Sequence, residues 1–217
     1  MQAQLTNKDL LRFLKNKHIH SGFLNRLKLH YRPLICPYIS LINMVRPGDR
    51  VGDIGCGSGQ FLLLLSAFVQ PSFLLGIEIN PALIQNAKEL MNGQLTANME
   101  LDLYDGINFP SRVSEMDIIF LIDVLHHVPR TAQESFLVQL TATMKPASTL
   151  IIKDIDAANP LVIFNKLHDL VISSEIGHEL SPKRTAKLLT GAGMHIDAIH
   201  KTTTYVYPHY TVVAKKP

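Results

Sequence analysis

The chain has 217 residues, enough for one domain with a substantial core. Its 47% hydrophobic and 18% charged residues are typical of a folded globular protein and exclude a disordered chain. A formal net charge of +3 is smaller than nucleic-acid-binding proteins usually carry, so we expect no nucleic-acid partner.

The two cysteines, Cys36 and Cys56, do not form a disulfide framework and indicate a reducing compartment. The first residues, MQAQLTNKDLLRFLK, lack the apolar core of a signal peptide. The longest apolar run, FLLLLSAFVQPSFLLGI, is interrupted by Gln70 and Pro71. We therefore expect a cytoplasmic protein without stable membrane insertion, and the sequence leaves open whether it is a monomer or a dimer.

Residues 7–45 favour helices, with interruptions near Ser21 and Gly22 and at Pro33 and Pro37. Strands and helices then alternate. Strands are predicted at 49–55, 73–79, 99–105, 116–125, 148–156, 195–202 and 210–216. Helices are predicted at 60–69, 81–92, 134–145 and 160–172, and from Pro182 to the glycines at 191 and 193.

This alternation between residues 49 and 156 predicts a parallel sheet covered by helices on both faces. The almost continuous apolar run 116–125 is typical of a central strand that is buried on both sides. The last two strands are expected to pair antiparallel. In such sheets ligands bind beyond the carboxyl ends of the strands, so the loops that follow the strands are the place to look for a site.

The loop VGDIGCGSGQF, residues 51–61, follows the first predicted strand. Its glycines have the spacing G-x-G-x-G, and Gln60 stands where a dinucleotide fingerprint requires a third glycine or alanine. Asp53 lies at the end of the strand, where its carboxylate needs loop amides or a ligand as partners, because burying an unpaired charge is unfavourable.

Four motifs in order over residues 49–156 resemble those of the class I S-adenosylmethionine-dependent methyltransferases: VGDIGCGSG, LLGIEINPALIQNA, LYDGINFP and MDIIFLIDVLHHVP. The resemblance implies an α/β, Rossmann-like fold with a seven-stranded, mostly parallel sheet, helices on both faces and an antiparallel last strand. We interpret residues 1–217 as a single methyltransferase domain. Its parts are an N-terminal helical cap (1–45), a cofactor-binding core (49–156 and 182–217) and an inserted substrate lid (157–181).

The resemblance also implies S-adenosyl-L-methionine as cofactor and S-adenosyl-L-homocysteine as product. Glu78 would accept hydrogen bonds from the ribose hydroxyls, Asp105 from the adenine amino group, with Asp102 as the competing candidate, and Asp123 would face the methionine part. The expected cofactor-binding residues are Asp53, Gly55, Cys56, Gly57, Gly59, Glu78, Ile79, Asn80, Asp105, Gly106, Asp123 and Val124.

A general base is needed if the methyl acceptor is a hydroxyl. His126, His127 and His168 are the candidates, and each of them could instead have only a packing role. Asn165 shares a helix face with His168. The acceptor pocket is expected to be lined by Tyr31, Tyr38, His127, Phe164, Asn165 and His168.

This apolar and aromatic set favours a small aromatic or lipid-like acceptor that is methylated on oxygen. The spacing of Glu175, His178 and Glu179 matches no strong ligand pattern, so no metal is expected. Two alternative functions stay open on the sequence alone: a nicotinamide-dependent oxidoreductase, and a non-catalytic cofactor-binding regulatory subunit.

Overall fold

A seven-stranded sheet forms the centre of the protein. The computed structural model describes residues 5–15, 17, 31–91, 98–173 and 177–217, without the side chains of residues 168, 169 and 171–173. The strands are β1 (Arg50–Ile54), β2 (Phe73–Glu78), β3 (Met99–Leu103), β4 (Ile118–Ile122), β5 (Thr149–Ile155), β6 (His195–Thr204) and β7 (Tyr207–Lys215). Their order is β3-β2-β1-β4-β5-β7-β6. Strands β1 to β5 run parallel, and β7 runs antiparallel to both of its neighbours, which confirms the predicted fold class.

Helices connect the strands where the sequence places them. They are α1 (Asn7–Lys15), α2 (Tyr38–Ile42), α3 (Gln60–Phe68), α4 (Pro81–Met91), α5 (Gln133–Thr143), α6 (Val162–Ser173) and α7 (Pro182–Gly191). Residues 31–35 are also helical. Helix α4 begins as predicted, because the Asn80 side chain accepts a hydrogen bond from the Ala82 amide at 2.9 Å and Pro81 is the first helical residue.

Two apolar cores lie on the two faces of the sheet. Phe120 and Ile122 of β4 point into one core, and Ile119 and Leu121 point into the other, as the two-residue period of a strand requires. The first core receives side chains from α1, α2, α3 and α4, and the second receives them from α5 and α7. Helix α1 is therefore part of a core layer, although the sequence assigns it to a cap.

The structure differs from the prediction mainly at strand ends. The predicted strand 116–125 is reduced to β4, because Asp123 has a φ of 56° and Leu125–His127 form a short 3₁₀ helix. Strand β7 begins at Tyr207, three residues before the predicted start, where Ile155 of β5 pairs with His209. Both differences bring polar residues to the carboxyl edge of the sheet. In the described part of the chain, no helix is long and apolar enough to cross a membrane.

A substitution at Gly59 tests the backbone geometry of the glycine loop. Gly59 has a φ of 75°, and an added Cβ would lie 2.5 Å from Met91 Cε and 3.0 Å from Ala87 Cβ. We expect Gly59→Ala to lower the free energy of unfolding by about 1–3 kcal/mol, measured by urea denaturation. The control is Gly191→Ala in α7, where an added Cβ meets nothing within 4 Å and should be neutral or slightly stabilising. Equal effects of the two substitutions would contradict this account.

Candidate functional site

A cavity of about 710 Å³ opens at the carboxyl edge of the parallel strands. Its walls come from the loops after β1, β2, β3 and β4, from the end of β5, from the start of β7, from helices α5 and α6, and from residues 31–36. It includes the point between β1 and β4 where the strand order reverses, which is the usual ligand site of open α/β sheets. The volume falls within the range of about 300–1,000 Å³ that is common for small-molecule pockets.

Gly55, the first glycine of the loop, lines this cavity at the end of β1. Gly55 has a φ of 75°, and an added Cβ would lie 2.4 Å from a methyl group of Val124, so only glycine fits between the loop and the turn after β4. The amides of Gly55 and Cys56 both donate to the carbonyl oxygen of Ile77, at 2.7 and 3.0 Å. These two hydrogen bonds hold the loop against β2.

Glu78 connects that loop to the end of β2. Its Oε1 accepts hydrogen bonds from the amides of Ile79 and Asn80 at 2.9 and 3.0 Å, and its Oε2 accepts one from the amide of Gly57 at 2.9 Å. A carboxylate has about four acceptor positions, so one of them, on Oε2, is left for a ligand. Glu78 therefore keeps acceptor capacity for a ligand hydroxyl, and its predicted hydrogen bonds from the ribose hydroxyls stay a prediction.

Asp123 lies between two cations at the middle of the cavity. Lys153 Nζ, on β5, is 2.5 Å from its Oδ1, and Arg32 Nη2 is 3.2 Å from its Oδ2. Desolvation alone would raise the pKa of this carboxyl group, but Lys153 and Arg32 outweigh it and hold the pKa well below the ordinary value. Asp123 is therefore ionised at neutral pH, and its charge compensates the fully buried ammonium group of Lys153.

Residues 31–36 form the roof of the cavity, fixed by two polar contacts. One is the Arg32–Asp123 ion pair. In the other, His209 Nε2 donates to the carbonyl oxygen of Ile35 at 2.6 Å, because a carbonyl can only accept. Burial, and then the nearby Lys153, lower the pKa of His209 to about 4, so the ring is neutral at physiological pH.

Asp53, on strand β1, is another buried acid close to the cavity. Burial raises its pKa to about 7, Arg32 lowers it in part, and Glu78 raises it further. Among the residues that the structure describes, none donates a hydrogen bond to its carboxylate, so the loop amides that the sequence offered as partners bond elsewhere. Asp53 can therefore change its protonation state near neutral pH.

His126 and Asp154 form a buried pair at the cavity wall. His126 Nδ1 lies 2.6 Å from Asp154 Oδ1, and the His126 amide donates to Asp154 Oδ2 at 3.2 Å. Because a carboxylate accepts, this contact assigns the proton to Nδ1 and fixes the orientation of the ring. His127 is exposed at the cavity rim, with its ring centroid 4.1 Å from that of His126.

The structure brings many of the predicted residues together. Those that line the cavity are Tyr31, Gly55, Glu78, Ile79, Asn80, Gly106, Asp123, Val124, His126, His127 and Asn165. Five other predicted cofactor residues are outside its wall: Asp53, Cys56, Gly57, Gly59 and Asp105. Asp105 is exposed, and its carboxylate accepts hydrogen bonds from the amides of Ile107 and Asn108, both at 2.7 Å. The cofactor-binding role of all these residues stays a prediction.

Two predicted acceptor-pocket residues lie elsewhere. Tyr38 is a core residue, fully buried and stacked on Phe61 with ring centroids 5.6 Å apart, because α2 packs against α3. Phe164 points outward from α6, since its neighbour Asn165 occupies the face toward the cavity. The His168 side chain lies outside the described residues, so its predicted role stays a prediction.

Sequence reasoning missed four polar residues of the site: Arg32, Lys153, Asp154 and His209. Lys153 and Asp154 carried a usable signal, because adjacent charges within an otherwise apolar central strand, LIIKDI, must have partners. Arg32 and His209 carried none, because they lie far from the motifs along the chain. Within the described ranges, no group of three or more His, Cys, Asp or Glu side chains is arranged to hold a metal ion.

A doubly wound sheet with a glycine loop, an acid at the end of β2 and a cavity at the switch point defines the class of Rossmann-like, nucleotide-binding folds. Known proteins agree with this class. The family described as Methyltransferase domain matches residues 46–193. A solved S-adenosylmethionine-dependent methyltransferase from Methanosarcina mazei has a TM-score of 0.66 at 22% identity, covering 82% of this chain and 96% of that one.

Curated relatives carry several activities. The chain is 27% identical over 166 residues to 2-methyl-6-phytyl-1,4-hydroquinone methyltransferase of Synechocystis sp., covering 70% of this chain and 48% of that protein. It is 31% identical over 113 residues to tRNA (guanine-N(7)-)-methyltransferase of Prochlorococcus marinus, covering 46% of this chain and 54% of that protein. The chain spans about half the length of these relatives.

The chain belongs to the methyltransferase-domain family, and its fold is that of the class I S-adenosylmethionine-dependent methyltransferases. The two carboxylates at the cavity wall suit groups of that cofactor. The remaining acceptor position of Glu78 suits a ribose hydroxyl, and the ionised Asp123 suits an ammonium group.

Glu78→Ala tests the cofactor site. We expect it to weaken S-adenosylmethionine binding by more than about tenfold, because it removes a charged acceptor and releases the amide of Gly57. Isothermal calorimetry measures the dissociation constant, and Glu134→Ala, an exposed carboxylate on α5, is the matched control. An unchanged dissociation constant in Glu78→Ala would show that the ribose lies elsewhere.

The raised pKa of Asp53 predicts a pH-dependent stability. Because its folded-state pKa of about 7 exceeds the ordinary value of 3.8, the folded protein retains a proton that the unfolded chain has already lost between those values. The contribution of Asp53 to the free energy of unfolding therefore falls as the pH rises from about 4 to about 7. Relative to Asp53→Asn, the wild-type protein should lose stability across this window in urea denaturation. Parallel stability curves for the two proteins would contradict the assignment.

Proposed function

We propose that the protein transfers a methyl group from S-adenosylmethionine to an oxygen atom of a small aromatic or lipid-like acceptor. The observation that carries this proposal is the His126–Asp154 pair, a positioned base at the wall of a ligand-sized cavity in a methyltransferase fold. The family membership supports the cofactor, and the geometry of this pair supports a hydroxyl acceptor.

Two regions of the cavity would serve the two ligands. Glu78, Ile79 and Asn80, at the β2 side, would hold the adenosine part, and Asp123 would hold the ammonium group of the methionine part. The remaining walls lie toward β5 and β7. They include Tyr31, Ile35, Cys36, Ile155 and Tyr207, which suit a partly apolar acceptor.

S-adenosylmethionine supplies a methyl group that its sulfonium activates for a one-step displacement. The protein's own contribution is to align the acceptor oxygen, exclude water and remove the hydroxyl proton. Because Nδ1–H of His126 is held by Asp154, the proton would go to Nε2, and the Asp154 carboxylate would stabilise the imidazolium that forms. His127 at the rim is the other candidate base.

The named activities of the relatives guide the choice of acceptors to test. One relative is named for a phytyl hydroquinone, which is a lipid-like phenol, and this agrees with the proposed class. Another is named for a guanine of tRNA, so tRNA belongs in the same screen. The nicotinamide-dependent oxidoreductase is disfavoured by the family match, and the non-catalytic regulatory subunit is tested by turnover itself.

The experiment is a screen with methyl-labelled S-adenosylmethionine against phenols, hydroquinones, hydroxy acids, lipid extracts and tRNA. On the best acceptor, His126→Ala should lower kcat by about 10²–10⁴-fold with little change in cofactor affinity, because only the proton transfer is lost. Asp154→Asn should lower kcat less and change the pH–rate profile, since it acts by positioning the ring. His200→Ala, an exposed histidine on β6, is the control.

The variants also separate the alternatives. A loss of turnover in His127→Ala with normal turnover in His126→Ala would assign the base to His127. Methylation of tRNA alone would overturn the small-molecule acceptor, and cofactor binding without turnover on any acceptor would support a regulatory subunit.

A further inference from the structure

Residues 177–180, which precede α7, pack against the turn that carries His126. The His178 amide donates a hydrogen bond to the carbonyl oxygen of His126 at 2.7 Å. The buried Glu179 carboxylate, one residue further on, accepts a hydrogen bond from Asn165 Nδ2 of α6 at 3.2 Å. The segment 177–180 is therefore fixed both to the histidine turn and to the helix that contributes Asn165 to the cavity wall.

Gln133, the first residue of α5, joins the same turn and segment through its side-chain amide. Its Nε2 donates to the carbonyl oxygen of Leu125 at 3.1 Å and to that of His178 at 2.9 Å, and the residue is only 2% exposed. Both partners are carbonyl oxygens, which only accept, so the amide nitrogen faces them and both of its N–H groups are used. Because a buried hydrogen-bonding group that loses its partner is costly, this amide holds the turn and the segment at a fixed separation.

Gly177 brings the segment against the imidazole ring of His126. An added Cβ at this glycine would lie 2.9 Å from His126 Cδ2 and 3.2 Å from Glu179 Oε1. Cδ2 adjoins Nε2 in the ring, whereas Nδ1, on the other side of the ring, lies 2.6 Å from Asp154 Oδ1. The ring is therefore confined on both sides, and His126 is only 3% exposed.

We infer that Gln133 and Gly177 are positioning residues for His126. Gln133 fixes the backbone of the turn, and Gly177 leaves only the space that the ring itself needs. Together with Asp154 they hold the imidazole in one orientation, with Nδ1 as the donor to the carboxylate and Nε2 as the basic nitrogen. The positioning follows from these contacts, whereas its consequence for turnover rests on the proposed function, in which Nε2 receives the acceptor proton.

The Nδ1 proton of His126 reports on the ring by nuclear magnetic resonance without requiring turnover. With isotope-labelled histidine we expect a downfield, slowly exchanging resonance that disappears in His126→Ala. Gln133→Met keeps the length of the side chain but removes both donors, so exchange of this proton should accelerate at least about tenfold relative to backbone amides of β5. Gln85→Met, at an exposed glutamine of α4, is the matched control and should leave the relative rate unchanged.

Gly177→Ala is the second variant, and it removes no hydrogen-bonding group. Gly177 does not have a left-handed φ, so the added methyl group acts through its contact with the His126 ring and with Glu179. We expect the same acceleration of exchange as in Gln133→Met. Gly191→Ala, where an added Cβ meets nothing within 4 Å, is the control. If Gln133→Met does not fold, as judged by circular dichroism, Gly177→Ala decides the question.

An unchanged relative rate in either folded variant overturns the role assigned to that residue, and absence of the resonance from the wild-type protein overturns both roles. On the best acceptor, both variants should lower kcat at least about tenfold with an unchanged dissociation constant for S-adenosylmethionine, because they displace the base and not the cofactor. Faster exchange together with normal turnover in His126→Ala contradicts only the proposed base. Unchanged exchange together with lost turnover in His126→Ala contradicts only the positioning.

Discussion

The pairing of Asp123 with Lys153 and Arg32 is the interaction on which the site depends. It joins the end of β4, the middle of β5 and the roof at residues 31–36 at one carboxylate. An ammonium group as deeply buried as that of Lys153 is tolerated only with a charged partner, and removing one partner of a buried pair typically costs about 3–5 kcal/mol. The requirement also explains the left-handed backbone of Asp123, which ends β4 and turns the chain into the histidine segment.

Hydrogen bonds around Glu78 and the glycine loop hold the carboxyl edge of the sheet in a fixed geometry for a ligand. Three backbone amides converge on the Glu78 carboxylate, and two more converge on the Ile77 carbonyl. These hydrogen bonds fix the shape of the loop, which reduces the ordering that ligand binding must impose. The three glycines of the loop are required for different structural reasons. Gly55 and Gly59 have no room for a Cβ, whereas the Cβ position of Gly57 is open and only its φ of 56° favours glycine.

The cavity combines a polar centre with partly apolar walls. Ion pairs and the His126–Asp154 pair occupy the sheet edge, where the proposed methyl transfer would take place. Ile35, Cys36 and Ile155 add apolar surface to the wall of the same cavity. This combination of polar and apolar groups is the feature of the cavity that supports the proposed acceptor class.

The sequence by itself determined the class of fold, with its mostly parallel sheet and antiparallel last strand, and the edge of the sheet at which a ligand site is expected. The alternation of apolar strands and helices admits few topologies, and the glycine loop and Glu78 are separated by a short stretch of chain whose geometry is local. The start of α4 at Asn80 and Pro81 could be predicted for the same reason, because helix capping involves only neighbouring residues. Local patterns also located His126 and His127 after β4.

Only the tertiary structure decided which distant residues complete the site. Arg32 and His209 reach the cavity from the two ends of the chain, and no periodicity records that Arg32 meets Asp123 or that Ile35 meets His209. Tyr38 and Phe164 were placed in the pocket by their aromatic character, but packing put one in the core and the other on the surface. The direction in which a side chain points on a short helix depends on which distant residues pack around that helix. Those residues are brought together only by the complete fold, so the local pattern of residue types does not identify them.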